Sequence, residues 1–145
     1  MARTTQVLEN HHKHCDDAFA DAEEAVAKGR WDTAEALQER FRGEMEKHFQ
    51  TEETTLFPAY EAATGESGGP TAVMRMEHGQ MRGLMDAMSA AAQARDRNTY
   101  AGNAETLLIM MQQHNLKEEN ILYPMCDRAL ADKGLGAALA ARLAA

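Results

Sequence analysis

His48-Phe-Gln-Thr-Glu52-Glu53-Thr-Thr-Leu56-Phe57-Pro58 recurs 66 residues later as His114-Asn-Leu-Lys-Glu118-Glu119-Asn-Ile-Leu122-Tyr123-Pro124. Each copy reads histidine, three residues, two glutamates, two residues, leucine, aromatic, proline. On an α-helix, a histidine and a carboxylate four apart stand one above the other on one face. Two such pairs on two helices converge on a shared point. Imidazole nitrogen with carboxylate oxygen is a donor set suited to a non-haem transition metal.

The repeat extends beyond the motif. The same offset carries His12 onto His78, so each half places its first histidine 36 residues before its second. Leu8 maps onto Met74, Glu39 onto Glu105 and Phe41 onto Leu107, so the apolar frame repeats with the polar residues.

Four amphipathic patterns hold these residues. The first, from about Thr5 to Lys28, carries the stripe Leu8, His12, Cys15, Phe19, Ala22, Val26, and Gly29 ends it as a C′ residue. The second opens near Trp31 and Asp32, with Asp32 as N-cap and Glu35 completing a capping box. Its stripe is Ala34, Leu37, Phe41, Met45, His48, Glu52, Leu56. Pro58 lacks an amide hydrogen and crowds the carbonyl of Thr54, which predicts a kink or a tightened turn, and Pro124 repeats that role. The stretch Thr64-Gly-Glu-Ser-Gly-Gly-Pro70 is the clearest loop. The third helix, from about Thr71 to Arg95, faces inward with Met74, His78, Met81, Met85, Met88 and Ala92. The fourth, from about Thr99 to Leu130, does so with Leu107, Met111, His114, Glu118, Ile121 and Met125. Leu135 to Ala145 reads as a short fifth helix after Gly134 and Gly136. No strand pattern appears. The expectation is one all-α domain over residues 1–145, an antiparallel up-and-down four-helix bundle with a short C-terminal helix.

At 145 residues the chain is long enough for a real core. Its net charge of −8 argues against a nucleic-acid or anionic-membrane partner. No signal-peptide pattern and no long apolar run stands in it, so a cytoplasmic protein is expected. Cys15 and Cys126 make no disulfide framework. Eight of the ten methionines lie in the third and fourth helices, where they serve as adaptable core filling.

A lone histidine on an apolar stripe is usually a satisfied core residue. Here four histidines and two glutamates face one interior, and two buried carboxylates without cations would cost several kcal/mol each, on the order of the burial penalty of a charge, or sit protonated. A metal removes that cost. Six donors exceed the needs of one tetrahedral ion, so two metals are expected. His12 and His48 would hold one, and His78 and His114 the other. Glu52 and Glu118 would bridge them, with a hydroxide between the ions. His11 and His14 read as solvated neighbours of His12. Cys15 reads as an inert buried thiol. Tyr123, about 140° round an α-helix from Glu118, is assigned no chemistry.

The paired motif resembles that of hemerythrin-like (HHE cation-binding) domains, over essentially all of residues 5–130. That resemblance implies a four-helix bundle around a non-haem di-iron centre, with His12, His48, Glu52, His78, His114 and Glu118 as ligands. Oxygen-carrying hemerythrins have a fifth histidine where this chain has Arg82, and their second carboxylate would fall on Glu119 rather than Glu118. The four-histidine, two-glutamate set resembles a bacterial branch linked to oxidative and nitrosative stress. The implied function is binding or reduction of O2, NO or a peroxide at two irons; a redox partner is left open. Non-catalytic metal handling or sensing and reversible O2 carriage are the alternatives. Arg82, which cannot ligate as a neutral base at ordinary pH, is expected to turn onto a neighbouring carboxylate or solvent, or to hydrogen-bond an anionic ligand.

Overall fold

A computed structural model describes residues 3–145. Its first helix, α1 (Gln6–Ala27), ends in a Schellman turn. The Gly29 amide bonds the Val26 carbonyl and the Arg30 amide bonds the Ala25 carbonyl, with Gly29 left-handed at φ 69°. The chain then enters α2 (Trp31–Thr51) at once. Sixty-six residues on, the same turn joins α4 (Pro70–Gln93) to α5 (Arg97–Lys117). There the Arg95 amide bonds Ala92 and the Asp96 amide bonds Ala91, and Arg95 takes the left-handed place of Gly29 at φ 56°. The repeat thus reaches the backbone of the turns.

The N-cap of α2 is Arg30, not Asp32, and its side chain makes no capping bond. The Schellman turn leaves no room for two more residues before the helix, so Asp32 lies inside the first turn. There its charge complements the helix dipole. The repeat mate of Arg30 is Asp96, which does cap α5 by accepting from the Thr99 amide at 3.1 Å.

α2 and α5 do not tighten before Pro58 and Pro124. Each widens. Glu52–Leu56 and Glu118–Leu122 are single π-helical turns, in which the Phe57 amide bonds the Glu52 carbonyl and the Tyr123 amide bonds that of Glu118. They lead into α3 (Phe57–Thr64) and α6 (Tyr123–Ala129), with each proline in the first turn of its new helix. A proline interior to an α-helix removes a hydrogen bond and clashes with the carbonyl four back; the π turn re-routes bonding to the residue five back and accommodates both. The extra residue shifts the side-chain register. Ile121, expected inward, is 56 % exposed, while Leu122, Tyr123 and Cys126 are buried.

The four long rods pack in a ring, α1 on α2, α2 on α4, α4 on α5 and α5 back on α1. Three-residue turns at 28–30 and 94–96 make the neighbours antiparallel. α7 (Gly136–Ala144) packs on α1 and α2 and buries Leu139 and Leu143. No strand occurs among the described residues, and none of their helices is long and apolar enough to cross a membrane.

Two apolar clusters fill the bundle. One runs from Cys15, Phe19 and Met45 through Phe41 and Met81 to Met88 and Met111. The other joins Leu8, Leu56, Phe57, Met74, Leu122, Tyr123 and Leu139. On every rod the metal-type residues fall between them: Leu8, His12, Cys15 on α1; Met45, His48, Leu56 on α2 and its π turn; Met74, His78, Met81 on α4; Met111, His114, Leu122 on α5 and its π turn. The polar layer is therefore sealed above and below by hydrocarbon. Each fully buried Leu, Phe or Met is worth about 1.5–3 kcal/mol, so the two clusters carry the stability that the polar layer itself lacks.

Candidate metal centre

The i, i+4 pairs His48/Glu52 and His114/Glu118 project from α2 and α5 into this layer, and His12 and His78 enter from α1 and α4. All six side chains are buried, with Glu52, His78 and Glu118 at zero exposure. Their donor atoms form two adjoining groups. Glu52, His78, His114 and Glu118 make one, and His12, His48 and Glu118 the other, with donor atoms within 4.8 Å of one another in each.

In the first group His78 Nε2 lies 3.1 Å from Glu52 Oε1, and His114 Nε2 lies 3.4 Å from Glu118 Oε2. These distances are short, yet none of the four atoms has a partner in hydrogen-bond geometry. Buried donors and acceptors are almost always paired. Four orphans at one point fit a cation that all four would face. In the second group His12 Nε2 lies 2.9 Å from Glu118 Oε1, and His48 Nε2 lies 3.6 Å from Glu52 Oε2 and 3.9 Å from Glu118 Oε1. Glu118 thus belongs to both groups, while Glu52 belongs to the first and turns its second oxygen toward His48 of the other.

The far side of every imidazole is held. His12 Nδ1 donates to Glu119 Oε2 at 2.6 Å, His78 Nδ1 to Glu53 Oε2 at 2.6 Å, and His114 Nδ1 to Glu77 Oε1 at 2.7 Å. Those bonds select the tautomer whose Nε2 lone pair faces the centre. His48 is held differently. Its Nδ1 meets His11 Nδ1 at 3.0 Å, and His11 Nε2 donates to Glu44 Oε2 at 2.9 Å. With Nε2 of His11 as donor, its Nδ1 accepts from His48. The repeat explains the difference, because His11 stands where the second half has Glu77. His11 is consequently not a solvated neighbour of His12: it is buried, and its ring lies edge to edge with that of His48, the two planes within 8° of parallel and their centroids 5.2 Å apart. Only His14 is exposed.

The metal-free electrostatics follow from the same contacts. Burial works against a charged His48 and His114, but Glu52 and Glu118 overcome it and raise them to about 10 and about 9. Burial also pushes Glu118 up, yet Glu52, His114 and His12 hold it well below the usual carboxylate range. A divalent cation would displace those imidazole protons and take over their role. Glu53 is held down at about 2: burial opposes, and the hydrogen bonds from His78 and Arg82 prevail.

Arg82 turns outward. Its guanidinium forks onto Glu46, at 2.9 Å to each oxygen, and onto Glu53 at 3.0 and 3.1 Å, lying over the Phe49 ring at 5.2 Å. It reaches the centre only through Glu53 and His78. Cys15 is buried beside His11, its Sγ 3.7 Å from Nδ1, and burial pushes its thiol far up, so it stays protonated.

Tyr123 also departs from the sequence expectation. Tyr123 is fully buried and its hydroxyl lies inside the polar layer, donating to Glu52 Oε2 at 2.7 Å. The 140° estimate assumed α-helical geometry. The π turn bonds residue i to i+5, bringing Tyr123 almost onto the Glu118 face. The signal was the Pro124 that forces the turn.

Nitrogen and oxygen donors, buried, in two groups with orphaned atoms, are those of a metal-binding protein. A family model for the hemerythrin HHE cation-binding domain matches residues 3–126. No curated protein and no solved structure gave a significant match. With the motif, the bundle and most of the chain's length in agreement, the chain belongs to the hemerythrin family of HHE cation-binding domains.

Proposed function

We propose that the chain holds two irons, one by His12 and His48 and one by His78 and His114, with Glu52 and Glu118 shared between them, and that it binds or reduces O2, NO or a peroxide there. The observation that carries this reading is the pair of donor groups that share Glu118, with Glu52 of the first group 3.6 Å from His48 of the second, and the four atoms of the first group that have no other partner. Iron would supply one-electron chemistry and positions open to a small ligand. The protein's own contribution is fixed orientation and exclusion of water. Glu119, Glu53, Glu77 and the His11–Glu44 pair hold the rings, and the two apolar clusters wall the layer off.

Reversible carriage is the less favoured reading. The carriers' fifth histidine is Arg82 here, and it is engaged by Glu46 and Glu53. Metal analysis and a gas-consumption assay test the proposal together. The wild type should bind about two irons, and Glu52→Ala or Glu118→Ala should each lose at least one. The reduced protein should consume O2, NO or peroxide without returning it. Full iron occupancy in both variants would overturn the shared-carboxylate assignment. O2 recovered unchanged under vacuum would make the protein a carrier, and indifference to all three ligands would leave a metal-binding protein without this chemistry.

A further inference from the structure

The two donor groups are unequal, and the inequality sits on one residue. Around the His12/His48 group the Tyr123 hydroxyl oxygen lies 2.7 Å from Glu52 Oε2, 3.1 Å from Glu118 Oε1, and 3.3 Å from both His12 Nε2 and His48 Nε2. A hydroxyl has one proton to donate and cannot hydrogen-bond well to four such atoms. Ligand atoms about 2.1 Å from a common ion stand roughly 3 Å from one another. The four distances around Tyr123 Oη are of that size. The orphaned buried atoms, by contrast, all belong to the His78/His114 group. There the repeat mate of Tyr123 is Phe57, which has no oxygen and packs its ring on His78 at 5.9 Å.

We propose that Tyr123 is a ligand of the iron held by His12 and His48, its phenol oxygen taking a position that the other iron leaves open. As the oxygen–iron bond forms the O–H bond breaks, and the proton leaves to water. The inference rests on the di-iron reading above and deepens it. It also changes the charge count. Two divalent ions carry +4, and two carboxylates with one phenolate bring the buried cluster to +1. The hydroxide expected between the ions is then not required to reach that value. The donors number five on one iron (His12, His48, Glu52, Glu118, Tyr123) and four on the other (His78, His114, Glu52, Glu118). An external ligand therefore enters at the His78/His114 iron.

The test is spectroscopic. The full chain is loaded anaerobically with Fe(II), oxidised with ferricyanide, and its iron content measured on the sample used for visible absorption and resonance Raman. A phenolate on Fe(III) gives an intense visible charge-transfer band with resonance-enhanced tyrosine ring modes. Wild type should show both, and ring-deuterated tyrosine should shift the modes. Tyr123→Phe should lose the band while keeping about two irons. The chain's other tyrosines are placed elsewhere, since Tyr100 donates to Gln38 and Tyr60 packs with Leu56 and Phe57. Two irons per wild-type chain without a tyrosine-derived band would overturn the inference and leave the di-iron reading standing. A band that persists in Tyr123→Phe would overturn it as well. A chain that takes up no iron would overturn both. The wild-type spectrum decides even if the variant fails to fold.

Discussion

At the residue scale, the side chains that hold the candidate ligands differ between two otherwise matched halves. In one, Glu77 accepts directly from His114; in the other, His11 takes the corresponding place and passes the contact on to Glu44. A sequence offset counts His11 only as a neighbour of His12. Its burial and its 3.0 Å contact with His48 make it a support for the ring. His11→Ala would leave His48 Nδ1 without its partner inside a sealed layer. Loss of such an outer partner typically weakens metal affinity roughly 10–100-fold. Chelator competition should show a loss of that size for His11→Ala, and a similar one for Glu77→Ala at the other group. His14→Ala, on an exposed ring, should match wild type. Unchanged affinity in His11→Ala would return that residue to the role of bystander.

At the scale of elements, the repeat is a repeat of turns and helical defects as well as of residues. The Schellman turns at 28–30 and 94–96 share their hydrogen bonds, but only the first has glycine at the left-handed position. An L-residue there costs about 1–2 kcal/mol, because Cβ crowds the carbonyl. The compensating contact of Arg95, 3.8 Å from a highly exposed Asp32, contributes little. Arg95→Gly should therefore stabilise the protein by about 1 kcal/mol, after allowing for the greater freedom of glycine in the unfolded chain. For a chain of this size that raises Tm by roughly 3–4 °C. A thermal melt at fixed metal loading measures it, and a Tm that falls would mean the Arg95 side chain contributes more than its backbone costs.

At the scale of the whole molecule, the bundle is two hydrocarbon cores separated by a layer of buried imidazoles and carboxylates. Such a layer is a poor source of stability by itself, since desolvation offsets most of what its charge pairs return. Metal bound at the two donor groups would change that balance, and folding and metal binding would become linked. Removing the metal with a chelator should lower Tm. Adding Fe(II) under argon should restore it, with each tenfold rise in free metal above Kd contributing about 1.4 kcal/mol per site. Zn(II), which has no redox chemistry, should restore it too if the effect is coordination alone. Equal melting of metal-free and metal-loaded protein would mean that the layer is stable unaided.

How much of this was legible beforehand follows from which physics is local. Helix periodicity, the glycine C′ position and the i, i+4 pairing depend on neighbours within a turn. The bundle and the convergence of His12, His48, Glu52, His78, His114 and Glu118 could therefore be read from spacing. Four features could not: the cap at Arg30, the burial of His11, the exposure of Ile121 and the entry of Tyr123 into the polar layer. The cap was set by the turn before it. His11 was buried because α2 brings His48 and Glu44 against it. Ile121 and Tyr123 were re-aimed when Pro124 drove its helix through a π turn, whose extra residue rotates everything after it relative to Glu118. Spacing determines which residues share a face only while the helix keeps its period. Where the backbone abandons that period to accommodate a proline, the tertiary structure alone decides what points at the metal.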